Sequence, residues 1–133
     1  MKLILLIKIF ITTILWAAPL LFGTPALFAL LGIPFPEPVI FLRLLGMAYF
    51  TLIFVYYNGY KLLKLRKNKA ASEIAISAGI VSNGLAFIVL FIAGTSGKWN
   101  GWGILGQIYM WLSTVLTFFF AVGLQIAFKK NIL

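Results

Sequence analysis

Four long apolar segments occupy most of this chain, and their length limits what it can fold into. They cover about residues 3–22, 39–60, 74–93 and 104–128. A helix needs about 20 apolar residues to cross the roughly 30 Å hydrocarbon core of a bilayer. Each segment meets that length, so the sequence predicts an all-α fold: an integral membrane four-helix antiparallel bundle. No polar stretch between segments is longer than residues 23–38, so residues 1–133 are expected to form a single four-span transmembrane domain.

The basic residues predict how these spans are oriented. Most of them lie at ends that share one side of the bundle: Lys2, Lys8, Lys61, Lys64, Arg66, Lys67, Lys69, Lys129 and Lys130. Only Arg43 and Lys98 lie toward the other side, together with Glu37. Short loops rich in Lys and Arg stay cytoplasmic, whereas acidic residues have little influence. We therefore expect both termini to be cytoplasmic, and we call the opposite side the outer side.

The start of the chain also has the features of a signal peptide, namely a basic beginning, an apolar run and the small residues Ala17 and Ala18. We expect it to be retained as the first span. Lys8 lies inside this segment, about one or two turns from its end, where a lysine stem can lie along lipid. Its ammonium is therefore expected to reach the inner headgroups.

The composition excludes most kinds of chemistry. The sequence has no Cys and no His, which removes thiolate nucleophiles, disulfides, iron–sulfur ligands and the usual haem, zinc and copper ligands. Its two acidic residues, Glu37 and Glu73, cannot form a carboxylate pair or a proton relay within one span. We therefore expect a chain that is not an enzyme by itself and that holds no cofactor and no metal.

The formal net charge of +9 also bears on the partners. A basic stripe that binds nucleic acid normally lies on a soluble domain or arm. Here membrane topology and anionic headgroups account for the charge. The expected partners are membrane lipids, with protein subunits or further copies of this chain within the membrane, and no nucleic acid.

A short outer interfacial helix is predicted between the first two spans. Thr24 suits its N-cap, Pro25 its first turn, and Gly32 the left-handed position that ends a helix. The segment is too short to cross a bilayer, so it should lie at the outer interface or tuck into the bundle. Residues 33–38 contain three alternate prolines, which favour a stiff, extended link into the second span.

The third span carries a stripe of small residues. Ser72 is a candidate N-cap for this helix, with the Glu73 carboxylate at the positive end of its dipole. Small side chains recur at steps of three and four: Ala71, Ala75, Ala78, Ser82 and Ala86, with Gly79 beside them. Because small residues let membrane helices approach closely, the stripe predicts a close neighbour, either another span of this chain or another subunit.

Asn83 is the polar residue nearest the predicted bilayer centre. It follows Ser72 by about eleven residues, which places it roughly 16 Å deep. We expect its amide to form an interhelical hydrogen bond, with a ligand contact as the alternative. The hydroxyl groups of the spans are expected to bond to the preceding turn of their own helices. These belong to Thr12, Thr13, Thr51, Ser113, Thr114 and Thr117.

Arg43 lies about one turn inside the outer end of the second span, where a guanidinium is costly unless it reaches headgroups or an acceptor. Glu37 is the only acidic residue on that side, and a pair between them would fasten the proline-rich link to the second span. The alternatives are a headgroup contact and the binding of an anionic or carbonyl-bearing ligand, to which Gln107 and Tyr109 could contribute.

The outer segment and the start of the second span carry a recognisable set of motifs: Pro25-Ala26-Leu27-Phe28, Leu31-Gly32-Ile33-Pro34, Pro38 and Phe41-Leu42-Arg43-Leu44-Leu45-Gly46. About residues 1–60 resemble the first half of the DoxX-like and BphX-like group of small bacterial four-helix membrane proteins. In that group a proline-bearing outer segment leads into a second helix with an Arg-x-x-Gly pattern, whose places Arg43 and Gly46 occupy. The resemblance implies the four-span fold and a location in the bacterial cytoplasmic (inner) membrane. A few members are associated with quinone-linked sulfur oxidation or membrane redox complexes, and the absence of Cys separates this chain from cysteine-dependent members.

Two functions from different classes fit these observations. The one we favour is a small integral membrane accessory or scaffold subunit that packs against larger membrane-complex partners and is not catalytic by itself. The other is a DoxX-like module that binds a lipophile, a quinone or a lipid. Its pocket would lie between Arg43, the outer helix and the third span, rimmed by Tyr49 and Trp99. A transporter is less attractive, because the sequence shows no clear ionisable group or broken helix near the midplane.

Overall fold

The computed structural model describes residues 2–64 and 69–132, which form five helices and no strand. The helices are α1 (Lys2–Phe22), α2 (Pro25–Leu31), α3 (Val39–Lys64), α4 (Lys69–Thr95) and α5 (Ile104–Ile132). All but α2 are long and apolar enough to cross a membrane, judged by length and composition. The predicted all-α architecture of four long apolar helices is confirmed. Arg66 and Lys67 lie outside the described residues, as do the side chains of Lys69 and Ala71.

The four long helices form a closed ring of neighbours. α3 packs between α1 and α4, α4 packs most extensively against α5, and α1 also meets α5. A buried cluster takes one residue from each long helix: Leu5, Tyr56, Ile76 and Leu124. These residues lie near the start of α1, the end of α3, the start of α4 and the end of α5, so successive long helices run antiparallel. Because lipid is as apolar as such side chains, close packing rather than removal from water stabilises these contacts.

The middle of α1 departs from α-helical geometry. Thr12–Ala17 is a π-helical turn, and the α-helix resumes at Ala18–Phe22. Pro19 gives a physical reason, because a proline has no N–H and its ring clashes with the carbonyl four residues earlier, which belongs to Leu15. The wider turn makes that carbonyl accessible, and the Tyr109 hydroxyl of α5 donates a hydrogen bond to it.

The short helix α2 is capped as the sequence predicts. The Thr24 side chain accepts a hydrogen bond from the Leu27 N–H at 3.3 Å, and Pro25 occupies the first turn. At the other end Gly32 has a φ of 68°. Its N–H bonds to Ala29 O, while the next N–H along the chain bonds to Phe28 O. This pair of bonds is the Schellman motif, which satisfies the last carbonyls of the helix.

The ends of two spans differ from the sequence-based prediction. α3 continues through Asn58 and Gly59 to Lys64 instead of ending near residue 60. α4 is already helical at Lys69, so the prediction that Ser72 is its N-cap is wrong. The basic residues at these ends have long stems that can continue a helix beyond the apolar core while their charges reach polar surroundings.

The stripe of small residues on α4 packs within this chain. A Cβ on Gly59 of α3 would overlap the Ala75 Cβ, and a Cβ on Gly79 would lie 2.8 Å from a Leu124 methyl carbon of α5. Ala78 is half-buried beside a hollow on the bundle surface. The close neighbours of the stripe at Ala75 and Gly79 are therefore α3 and α5.

Candidate functional site

An apolar pocket lies at the outer end of the bundle, beneath α2 and the link that follows it. Its volume is about 330 Å³, within the roughly 300–1,000 Å³ typical of small-molecule sites. We call it the outer pocket, and it is lined by Pro19, Leu20, Leu27, Phe28, Leu31, Ile33, Pro34, Pro36, Leu42, Trp102, Tyr109 and Met110. No charged side chain is among these lining residues, so the surface offered to an occupant is mainly hydrocarbon and aromatic ring.

α2 and the link that follows it form one wall of this pocket, and contacts with the rest of the bundle hold them in place. Phe28 packs with Ile33 and Leu42 in a buried cluster, and its ring meets the Phe35 ring edge-on with centroids 5.1 Å apart. The Gly103 N–H donates to Gly32 O at 2.9 Å, which joins the end of α2 to the start of α5. A Cβ on Gly32 would lie 2.5 Å from Gly103 Cα, so this close approach of two backbones requires glycine.

Arg43 binds the end of α1 rather than Glu37. Its Nη1 donates to Leu20 O at 2.9 Å and its Nη2 to Gly23 O at 2.8 Å. The last carbonyls of a helix lack partners within the helix and carry the negative end of its dipole. The guanidinium therefore caps α1 and is stabilised by both effects. Glu37 is exposed, and no ion pair joins these two described residues, so the predicted pair is wrong.

Gly46 makes this cap possible. A Cβ at this position would lie 2.8 Å from Leu21 N and 2.9 Å from Leu20 C, distances that real side chains essentially never show. The backbone of α1 therefore lies directly against α3, one turn beyond Arg43. In this structure the Arg-x-x-Gly spacing has a physical basis, because the glycine admits the end of α1 and the arginine satisfies its carbonyls.

A second, polar cavity lies in the interior of the bundle. Its volume is about 10 Å³, enough for roughly one water-sized occupant. All four long helices contribute to its walls. We call it the central cavity, and it is lined by Lys8, Thr12, Trp16, Tyr49, Leu52, Tyr56, Ser82, Asn83, Ala86 and Thr117.

Lys8 reaches this cavity and not the headgroups. The residue is 2% exposed, so the expectation of a lipid-facing lysine is wrong. Gly79 of α4 lies beside this side chain, since a Cβ there would be in ordinary contact with Lys8 Cε at 3.7 Å. The ammonium nitrogen lies 4.5 Å from the Tyr56 ring centroid and 4.9 Å from that of Phe120. A desolvated cation–π contact contributes about 2 kcal/mol, less than the several kcal/mol of burying an ion.

Hydrogen bonds connect other polar groups around the central cavity. Tyr56 Oη and Ser82 Oγ are 2.9 Å apart and join α3 to α4. Asn83 Nδ2 donates to Gly79 O at 2.5 Å. This partner belongs to the same helix, so the predicted interhelical bond of Asn83 is wrong. The amide retains a second N–H and its oxygen for a further contact.

Thr12 differs from the other threonines of the spans. Thr13, Thr51, Thr114 and Thr117 donate to carbonyls of their preceding turns, as predicted. Thr12 is 1% exposed, yet its Oγ1 has no hydrogen-bond partner within the described part of the chain. The predicted bond of Thr12 to its own helix is therefore wrong. Thr12 begins the π-helical turn, and its hydroxyl belongs to the lining of the central cavity.

The aromatic residues predicted to rim a single outer site are placed elsewhere. Tyr49 lines the central cavity, and its ring centroid is 5.8 Å from that of Trp16. Trp99 is 2% exposed and packs edge-on against Trp111 at 5.6 Å, so it belongs to the protein interior. The outer pocket uses Trp102 instead. The predicted pocket between Arg43, the outer helix and the third span is thus replaced by one that α1, α3 and α5 share with α2.

Sequence reasoning brought Asn83 and Tyr49 into consideration but not the residues that join them. From the sequence, Lys8 is expected at the interface and Thr12 is expected to bond to its own helix, while Tyr56 has no predicted role in a site. One signal in the sequence points to an unusual arrangement of this region: Pro19, which predicts an irregular turn in the first span. The sequence shows no clear ionisable group or broken helix near the midplane, and this interpretation did not anticipate the burial of Lys8 within the bundle or the π-helical turn Thr12–Ala17.

The protein is a bundle of four helices that are long and apolar enough to span a membrane, with one apolar pocket at its outer end and one small cavity in its interior. No family model, curated protein or solved structure matches the chain. The resemblance to the DoxX-like and BphX-like group therefore stays a prediction. Among the described residues, no group of three or more His, Cys, Asp or Glu side chains lies close enough together to hold a metal ion.

Proposed function

We propose that this chain binds the hydrocarbon part of a lipid or quinone in the outer pocket. It would do so in the bacterial cytoplasmic membrane, with both termini cytoplasmic. The observation that carries the proposal is the pocket itself, an apolar concavity of about 330 Å³ roofed by α2. Pockets of this size lined by apolar and aromatic side chains are the usual form of a small-molecule site.

The polar groups nearest the pocket favour recognition of a chain over recognition of a headgroup. The Tyr109 hydroxyl is engaged with Leu15 O, and the Arg43 guanidinium holds two carbonyls of α1. An occupant is therefore selected by shape and by contact with hydrocarbon and rings. An acyl or isoprenoid chain from the surrounding bilayer meets that requirement. The role is binding, and no reaction by this chain is part of the proposal.

Filling the pocket tests this proposal directly. Leu27 lines the pocket and is 37% exposed, whereas Leu30 on the same helix is 72% exposed and lies outside the lining. We expect Leu27→Trp to occupy the space of the ligand and Leu30→Trp to leave it open. The purified chain would be released from lipid nanodiscs in the mass spectrometer, and native mass spectrometry would count the lipid or ubiquinone molecules bound to each protein.

The wild type and Leu30→Trp should retain one apolar molecule through stepwise delipidation, and Leu27→Trp should lose it at least about tenfold more readily, a difference of roughly 1.4 kcal/mol. Equal retention by the two tryptophan variants would overturn the proposal. Arg43 is unsuitable for this experiment, because replacing it removes the cap of α1 whether or not a ligand binds.

A second candidate is the accessory or scaffold subunit, favoured by one further feature of the surface. The exposed face of α1 is apolar and has a shallow, open hollow, where another membrane helix could pack. The hollow is lined by Leu6, Ile7, Ile9, Phe10, Ile11, Thr13 and Ile14. Copurification of the same stoichiometric partner through several detergents would support this role. The Phe10→Trp variant should then lose the partner, while the Leu27→Trp variant should keep it.

A further inference from the structure

The central cavity combines a buried cation with hydrogen-bond donors, and none of the residues that line it is acidic. We propose that it binds one small monatomic anion, a halide ion, held by the Lys8 ammonium and the Thr12 hydroxyl. This inference is independent of the outer pocket, which lies at the outer end of the bundle and shares no lining residue with it.

The lining of the central cavity contains a basic side chain and no acidic one. Lys8 is 2% exposed, and its ammonium faces the rings of Tyr56 and Phe120. The two acidic residues of the sequence are elsewhere: Glu37 is exposed at the outer end, and Glu73 lines a hollow on the bundle surface. An ionised side chain within a span normally pairs with an opposite charge or faces a polar cavity. An anion would supply the opposite charge that the lining residues lack.

Thr12 provides the second, independent observation. Its hydroxyl is buried among the residues that line the cavity and has no hydrogen-bond partner in the described ranges 2–64 and 69–132. Four other threonines of the spans donate to their own helices, so burial alone does not produce such a group. If the Thr12 hydroxyl donates its proton to an anion, both the hydroxyl and the anion gain a hydrogen bond.

The volume limits the occupant to one of very small size. The cavity holds about 10 Å³, close to the space of a single water molecule. A carboxylate, phosphate or sulfate is too large. Fluoride is close to water in size, and chloride, which is somewhat larger, requires small shifts of the lining side chains. The remaining N–H of Asn83 is a further donor on the α4 side of the same cavity.

The experiment measures anion-dependent stability of the full chain in lipid nanodiscs. Sodium chloride or sodium fluoride would replace sodium gluconate at constant ionic strength, because gluconate is too large for the cavity. We expect a saturable rise of the midpoint of thermal unfolding by about a few degrees in the wild type, since a ligand that binds only the folded state stabilises it.

Two variants and one control assign the effect to this cavity. Lys8→Met replaces the lysine by an unbranched, uncharged side chain that is one atom shorter, and it should abolish the halide-dependent shift. Thr12→Val keeps the shape without the hydroxyl and should weaken halide binding about tenfold. Lys2→Met removes an exposed lysine from the same helix and should leave the shift unchanged.

A measurement on the wild type alone guards against a variant that fails to fold. Crystals grown in chloride, measured at a wavelength long enough for chlorine to scatter anomalously, should show an anomalous peak between Lys8 Nζ and Thr12 Oγ1. An ordered water at that position with no anomalous signal would overturn the proposal, as would an undiminished halide shift in Lys8→Met.

Discussion

Arg43 and Lys8 are both cations placed within predicted membrane spans, and the structure gives them opposite surroundings. Arg43 lies near the outer end, where two main-chain carbonyls of α1 accept its N–H groups. Lys8 lies deeper in the bundle, against two aromatic rings and a small polar cavity. The first cation completes the backbone hydrogen bonding of a neighbouring helix. The second has only weak protein partners of this kind and is therefore the stronger candidate for binding something else.

The difference shows that depth in a span does not decide the role of a charge. What decides it is the supply of acceptors. The end of α1 presents carbonyls that have no helical partner, whereas the parts of α3 and α5 beside Lys8 are regular α-helix, whose carbonyls are bonded within the helix. A cation near a helix end therefore finds backbone acceptors, and one that lies against the rings of regular helices does not.

The largest effect expected from this comparison comes from Arg43. Arg43→Met leaves Leu20 O and Gly23 O without their charged donor, and we expect a loss of about 3–5 kcal/mol in the free energy of unfolding. Reversible unfolding of the purified chain in mixed micelles measures it. Arg43→Lys retains the charge without the planar fork and should lose less. A loss of only about 0–1 kcal/mol in Arg43→Met would indicate a headgroup contact and contradict the capping role.

Gly46→Ala tests whether the close approach of α1 and α3 supports that cap. The new Cβ would lie 2.8 Å from Leu21 N, and we expect a loss of about 1–3 kcal/mol from overpacking. Gly84 is the matched control, because a Cβ there meets no atom within 4 Å. Gly84→Ala should instead stabilise the helix by about 0.5–1 kcal/mol. Equal effects of the two substitutions in the same unfolding assay would show that the contact at Gly46 is not required.

Lys8→Met should have the opposite sign from Arg43→Met. In gluconate, without halide, it removes a buried charge and fills the same space with a flexible apolar side chain. Replacing buried charge by hydrocarbon of similar volume is often stabilising, here by about 1–2 kcal/mol. The exposed Lys2→Met control should change stability by less than about 0.5 kcal/mol. A large loss of stability in Lys8→Met would place Lys8 with Arg43 as a structural cation.

Thr24→Ala is expected to have the smallest effect, because it removes a neutral hydrogen bond from the outer end. The Thr24 hydroxyl accepts from the Leu27 N–H, and the loss of such a cap costs about 0.5–1 kcal/mol. Hydrogen exchange of the Leu27 amide should become faster, while Thr24→Ser should preserve its protection. Unchanged exchange in Thr24→Ala would mean that packing alone holds α2.

The features predictable from the sequence are those with local or length-based causes. Four spans follow from the length of hydrocarbon needed to cross a bilayer. The caps of α2 follow from Thr24, Pro25 and Gly32, whose preferences depend on only a few neighbouring residues. Arg43 was correctly identified as the outer cation that needs acceptors, although its partners were not.

The features that could not be predicted depend on which faces of different helices meet. Lys8 could follow lipid outward or enter the bundle, and the rings that it packs against, Tyr56 and Phe120, lie on other helices far away in the chain. The partner of Arg43 is a pair of backbone carbonyls, which carry no mark in the sequence. The central cavity needs side chains from all four long helices, so no local pattern in the sequence indicates it.

The π-helical turn Thr12–Ala17 has a consequence for how α1 tolerates changes in length. Such a turn contains one residue more than the α-helical turn it replaces, and each residue of an α-helix rotates the chain by about 100°. Deleting one residue within the turn would restore uniform α-helical winding and leave the residues beyond it at nearly the same angle, because the wide turn completes its revolution with the extra residue included. A deletion in a fully α-helical segment such as Val39–Lys64 has no such reserve and would turn everything beyond it by about 100°. The surplus residue therefore makes this turn a place where α1 can be shortened by one residue while its terminal carbonyls still face Arg43.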